Sequence, residues 1–146
     1  MEKTNVLSPK FVKSIPEKLE VGVLYVSIEY ATTIHKCCCG CGTEVVTPLT
    51  PTDWRLIFDG DSVSLYPSIG NWSFPCRSHY WIENNKVIWS WKWTQQEIDE
   101  GRTLDAMVKQ KYYSQVDFGT EEDNEQDQNQ SQPKQDFFQR LMTWLF

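Results

Sequence analysis

Along residues 21–116 the chain alternates short apolar and aromatic runs with polar breaks, while its two ends do not. VGVLYVSIEY (21–30), RLIF (55–58), SVSLY (62–66), HYWI (79–82) and KVIWSWKW (86–93) are rich in β-branched and aromatic residues. Gly, Pro, Asn and Asp separate them, which predicts five short strands. Asn84-Asn85 between the last two runs predicts a two-residue hairpin, because Asn tolerates the positive φ of a type I′ turn. Trp89, Trp91 and Trp93 alternate, so a continuous strand would turn all three to one face, where core packing is the expected role.

A helix is expected next. Thr94-Gln-Gln-Glu97 has the form of a capping box, and Ile98, Leu104, Met107, Val108 and Tyr112 make a rough apolar stripe, weakened by Gly101. The predicted fold class is α+β and β-rich: small antiparallel sheets stabilised by a four-cysteine zinc site, with one helix packed on them. Residues 1–20 are polar, broken by Pro9 and Pro16, and expected to form an N-terminal arm joining the body at its C-terminal end. Residues 21–116 are the expected β-rich domain. Residues 117–136 hold no apolar residue between Gly119 and Gln135 and read as an acidic disordered linker. Residues 137–146, with Phe137, Phe138, Leu141, Met142, Trp144, Leu145 and Phe146, read as a short amphipathic helix, with docking on protein the favoured role.

Charge changes the picture once it is divided along the chain. The net charge of −6 over 146 residues sits entirely in residues 117–136, which carry seven acids and Lys134. The remaining residues balance 13 acids against 13 bases, so the body offers no basic patch for nucleic acid or for an anionic membrane surface. The N-terminal MEKTNVLSPK lacks the apolar run of a secretory signal, and no stretch approaches 18 apolar residues. A cytoplasmic protein without a membrane span is expected. In a reducing compartment, five cysteines with four of them clustered point to metal ligation or reactive thiols before disulfides.

The cysteines are the strongest chemical signal. His35-Lys-Cys37-Cys38-Cys39-Gly40-Cys41-Gly42 places thiols on alternate residues, with glycines that suit a tight turn around a metal. Zn²⁺ takes four ligands tetrahedrally, and four thiolates form a closed structural site. Cys37, Cys39, Cys41 and Cys76 are one possible set; Cys38, Cys41 and Cys76 with His35 or His79 are another. A second constellation runs from Ser68, in a Pro/Gly turn after a strand, to His79. Nucleophilic catalysis needs a hydroxyl beside a base and a third group that orients the base. Ser68 and His79 can fill the first two roles, with Asp53, Asp59, Asp61 or His35 as orienter. Asn71, or the amides of Gly70 and Asn71, can stabilise an oxyanion. A Ser in such a turn more often makes local hydrogen bonds, and a His among aromatics is more often a core group.

ATTIHKCCCGCGTEVVTPLTPTDW and VSLYPSIGNWSFPCRSHYWI together resemble a family of small bacterial proteins encoded beside ubiquitin-like conjugation genes. The resemblance covers roughly residues 15–93. The family pattern has Pro between the first two cysteines where this chain has Cys38. The resemblance thus implies Cys38 as the spare thiol and Cys37, Cys39, Cys41 and Cys76 as ligands of a structural zinc. It also implies a serine peptidase or isopeptidase that processes or removes a ubiquitin-like modifier. Ser68 would be the nucleophile and His79 the base. The expected partners are the modifier's C-terminal tail and the conjugation enzymes. The competing expectation is a non-catalytic zinc-binding adaptor of the same machinery. A third reading makes His79 a ligand of a catalytic zinc with an activated water, which requires an open coordination position.

Overall fold

The computed structural model describes residues 2–117, and the expected acidic linker beyond Asp117 and the expected C-terminal helix lie outside them. Eight strands form two four-stranded sheets. The first contains β1 (Ser8–Phe11), β2 (Val23–Ser27), β3 (Thr32–Lys36) and β4 (Glu44–Pro48) in sequence order, with β1 parallel to β2 and the other pairs antiparallel. The second is an antiparallel meander of β5 (Arg55–Phe58), β6 (Val63–Gly70), β7 (His79–Glu83) and β8 (Lys86–Trp89). Leu24, Val26 and Val45 from the first sheet join Val63, Leu65, Ile69, Tyr80, Ile82 and Val87 from the second in one apolar cluster.

All five expected strand segments contain strands, but their limits differ for local reasons. The 86–93 run ends as a strand at Trp89, because the Ser90 amide donates to the His79 carbonyl and pairing then stops. Trp89 packs on the core and meets Tyr80 edge-on at 5.2 Å. Trp91 is exposed and Trp93 stacks on Trp72, so the three tryptophans do not share a core face. Conversely, β6 continues through Pro67 to Gly70, past a register irregularity between Leu65 and Ile69. Asn84 and Asn85 take φ of 48° and 67°, the double positive φ of a type I′ hairpin.

β3 and β4 escaped the apolar alternation because their inward positions are largely polar. Thr33, His35 and Thr47 are fully buried. The Thr33 and Thr47 hydroxyls bond each other across the ladder, and His35 Nε2 meets the Tyr80 hydroxyl at 2.7 Å. A strand can turn such residues inward when each finds a partner, and a hydropathy pattern does not register that.

The segment before residue 21 supplies more than a junction. Leu7 is fully buried, the Leu7 amide donates to the Asn85 carbonyl, and the Val87 amide donates to the Asn5 carbonyl. The Thr4 amide donates to the Cys38 carbonyl. The chain start thus ties the cysteine turn of the first sheet to the β7–β8 hairpin of the second. Gly40 is required by this contact: its φ is +90°, and a Cβ there would lie 2.6 Å from the Glu2 carbonyl oxygen.

α1 (Gln95–Asp117) starts at the expected capping box. The Thr94 amide donates to Glu97 Oε2 at 2.7 Å, and the Glu97 amide donates to the Thr94 hydroxyl at 3.3 Å. Ile98 is buried and Gly101 lies against the Trp93 ring. Further along, Lys109 reaches Asp53 at 2.9 Å, while Leu104, Met107 and Val108 are exposed. The expected apolar stripe therefore packs at Ile98 and leaves Leu104, Met107 and Val108 open. No helix among the described residues is long and apolar enough to cross a membrane.

Candidate active site and cysteine cluster

β6 and β7 are paired so that Gly70 stands opposite His79. Ile69 between Ser68 and Gly70 is buried, so Ser68 and Gly70 fall on the other side of the strand. Ser68 and His79 are thereby brought together: Ser68 Oγ lies 2.8 Å from His79 Nε2. On the far side of the ring, Nδ1 lies 2.7 Å from the Trp91 carbonyl oxygen. A carbonyl only accepts, so Nδ1 carries the proton and Nε2 presents its lone pair to the Ser68 hydroxyl. Burial holds the His79 pKa below its usual value, against the opposing pull of the Trp91 carbonyl. Trp72 and Trp93 wall the imidazole, with ring centres at 5.0 and 5.4 Å.

None of the residues named as orienters touches His79. Asp53 accepts from Thr50 at 2.6 Å and pairs with Lys109; the Thr50 and Lys109 contacts outweigh burial and lower its pKa. Asp59 accepts from the Asp61 and Ser62 amides and the Ser62 hydroxyl in the β5–β6 turn. His35 is in the core on Tyr80, and burial lowers its pKa to about 3. The orienting place is taken by a backbone carbonyl, which has no sequence signature. The end of β8 explains it: once pairing stops at Ser90, the Trp91 carbonyl is free to turn to His79.

The four cysteines Cys37, Cys39, Cys41 and Cys76 bring their sulfurs within 4.8 Å of one another. The turn is built by the Gly40 amide donating to the Cys37 carbonyl and the Cys37 amide donating to the Thr43 carbonyl. Cys37 Sγ is 3.5 Å from Cys39 Sγ and 3.9 Å from Cys76 Sγ. Tetrahedral zinc with Zn–S bonds of about 2.3 Å separates its sulfurs by about 3.8 Å, so the donor set fits a four-thiolate metal. Cys38 points elsewhere: it is fully buried, and burial, opposed by the Tyr80 hydroxyl, pushes its thiol up to about 12. At Cys41 burial also acts upward, but the Thr43 hydroxyl and amide and the neighbouring sulfurs outweigh it and hold the thiol at about 6. Neither histidine joins this group. His35 is committed to Tyr80, and both nitrogens of His79 are engaged by Ser68 and Trp91.

Asn71 belongs to the sulfur side. Its Nδ2 donates to Ser78 Oγ at 2.9 Å and to Cys37 Sγ at 3.8 Å, and its backbone amide donates to the Ser78 carbonyl. The oxyanion role expected of Asn71 therefore has no donor left to serve it. Ser78, which the motifs do not single out, sits between: its Oγ is 3.1 Å from Cys37 Sγ and 3.5 Å from Cys76 Sγ. Its position two residues after Cys76 is the signal that could have found it.

A family model described as "Bacterial ubiquitination-like system serine protease (BubE)" matches residues 11–94, a span that contains Ser68, His79 and all five cysteines. No curated protein and no solved structure matches the chain.

Proposed function

The chain belongs to the bacterial ubiquitination-like system serine protease family, and from that membership we propose that it is a Ser68–His79 peptidase or isopeptidase acting at the C-terminal tail of a ubiquitin-like modifier. The observation that carries the reading is the 2.8 Å contact between Ser68 Oγ and a His79 Nε2 whose other nitrogen is fixed by the Trp91 carbonyl. Ser68 Oγ attacks the peptide or isopeptide carbonyl as its proton passes to His79 Nε2. His79 then returns that proton to the departing amine, leaving the acyl group on Ser68. Water, deprotonated by the same nitrogen, releases the acyl group as a carboxylate and restores the serine hydroxyl. The lowered His79 pKa favours the neutral ring that the first step requires.

Cys37, Cys39, Cys41 and Cys76 are proposed to hold a structural zinc. When bound there, zinc would cross-link the β3–β4 turn to the loop before β7, with no coordination position open for water. Its contribution to the reaction is indirect, through the fixed position of Ser78 and hence of His79 next to it. The proposed setting is cytoplasmic, beside the modifier and its conjugation enzymes.

The test is incubation of the protein with the ubiquitin-like protein of the same system carrying a C-terminal extension, followed by mass spectrometry. Release of the extension, with a transient acyl adduct on Ser68, is expected. Cleavage that survives Ser68→Ala would overturn the assignment and favour the adaptor.

A further inference from the structure

With Asn71 turned to the sulfurs, the oxygen that gains charge during attack at Ser68 keeps only the Gly70 amide of the donors that the sequence pointed to. One indole fills that gap. Trp72 Nε1 lies directly over Gly70, where an added Cβ would collide with it. Gly70 faces the same side of β6 as Ser68 and stands opposite His79 in the ladder. Two residues along a strand span about 6.6 Å. That gap is bridged by the serine oxygen, the acyl carbon, its oxygen and one hydrogen bond of about 2.9 Å. The Trp72 N–H has no hydrogen-bond partner among the described residues and is not sealed from solvent. In contrast, Trp89 Nε1 donates to Asn5 and Trp54 Nε1 is buried.

The indole is also held in place before any substrate arrives. Trp93 stacks on it with centres 5.5 Å apart and an interplanar angle of 21°, and the His79 ring stands at 5.0 Å on another side. Trp93 in turn is backed by Gly101 of α1, where a Cβ would lie 2.9 Å from its ring. A donor fixed in advance costs no reorganisation as charge develops, which is what makes such groups effective. Gly70 is the enabling residue, since any side chain there would push the indole off the strand.

We infer that Trp72 is a catalytic residue whose indole N–H donates to the oxyanion formed at Ser68. This rests on the Ser68 reading given above. The test uses the full chain and p-nitrophenyl acetate, so that the identity of the modifier does not enter. Trp72 is replaced by Phe and, separately, by benzothienylalanine, which keeps the ring shape and loses only the N–H.

Both variants are expected to lose about 10²- to 10³-fold in kcat, with KM, melting temperature and the acid limb of the pH profile little changed. Full kcat in the benzothienylalanine variant overturns the inference. So does a loss accompanied by a shifted acid limb or a lowered melting temperature, which would make Trp72 a packing residue for His79. Ser68→Ala run alongside separates the two readings: a rate insensitive to it removes the nucleophile itself, whereas a rate lost in Ser68→Ala but kept in the Trp72 variants removes only the donor.

Discussion

Ser68 and His79 meet on one side of the β6–β7 pair, while Asn71 and Ser78, near them in sequence, turn to the cysteine sulfurs. The sulfur side is closed. Asn71 donates to Ser78 and Cys37, Ser78 reaches both Cys37 and Cys76, and Thr43 reaches Cys41. The serine side is open: Ser68 is half-buried, and the Trp72 N–H above Gly70 lacks a partner among the described residues. The two are separated at minimal length, since Ser78 and His79 are consecutive and yet Ser78 Oγ contacts Cys37 while His79 Nε2 contacts Ser68. A closed cluster that brings two loops together suits stability. An open one with a pre-set base suits chemistry on an incoming chain.

The comparison breaks most severely at the cysteines. Removing the metal with a strong chelator, or replacing Cys39 by Ala, should unfold the domain, since structural zinc contributes on the order of 10 kcal/mol. Circular dichroism and metal analysis read this directly, and a chelated protein that stays folded would deny the cluster its structural role. Ser68→Ala should do the reverse. Cleavage should fall by at least about 10³-fold while stability stays within about 1 kcal/mol and metal content is unchanged.

Ser78→Ala tests the boundary. It removes the hydroxyl that both Asn71 Nδ2 and Cys37 Sγ contact, so metal affinity should drop about 10- to 100-fold in competition with a chromogenic chelator. Cleavage by the metal-loaded variant should change by less than that; a larger loss in cleavage than in affinity would merge the two regions.

The smallest effect concerns pH. His79 must be neutral to take the serine proton, and its pKa is held below the usual value by burial. Activity should thus persist at acidities where an ordinary histidine is protonated, and fall only as pH drops through the depressed pKa. The acid limb of kcat/KM should lie below about 6.5. A limb at or above that value would show that the buried ring is not the group that titrates.

Much of the site was legible before the fold was known, and the reason differs by residue. The cysteine turn was visible because its thiols and glycines are local in sequence. Ser68 was visible through its Pro/Gly setting after a strand, His79 as one of only two histidines, and the Asn84-Asn85 hairpin because positive φ restricts composition. β3 and β4 were not, since Thr33, His35 and Thr47 turn inward against a hydropathy rule that assumes apolar interiors. Asn71 was misdirected because its type fits both roles, and only the direction of its amide separates them. The expected acidic linker and the expected C-terminal helix lie outside the described residues.

The sequence by itself determined the inventory: a neutral β-rich body, five cysteines of which four fall within residues 37–41, and Ser68 in close succession with one of two histidines. These follow from residue type and short-range spacing, which are properties of the chain alone. Tertiary structure decided which groups meet. Cys76 joins the turn thirty-five residues before it, the Trp91 carbonyl orients His79 because β8 ends at Trp89, and Trp72 lies on Gly70 because that residue has no side chain. Carbonyl direction, ring placement and the face of a strand arise from pairing and packing between segments distant in sequence, and a linear pattern does not encode them one residue at a time.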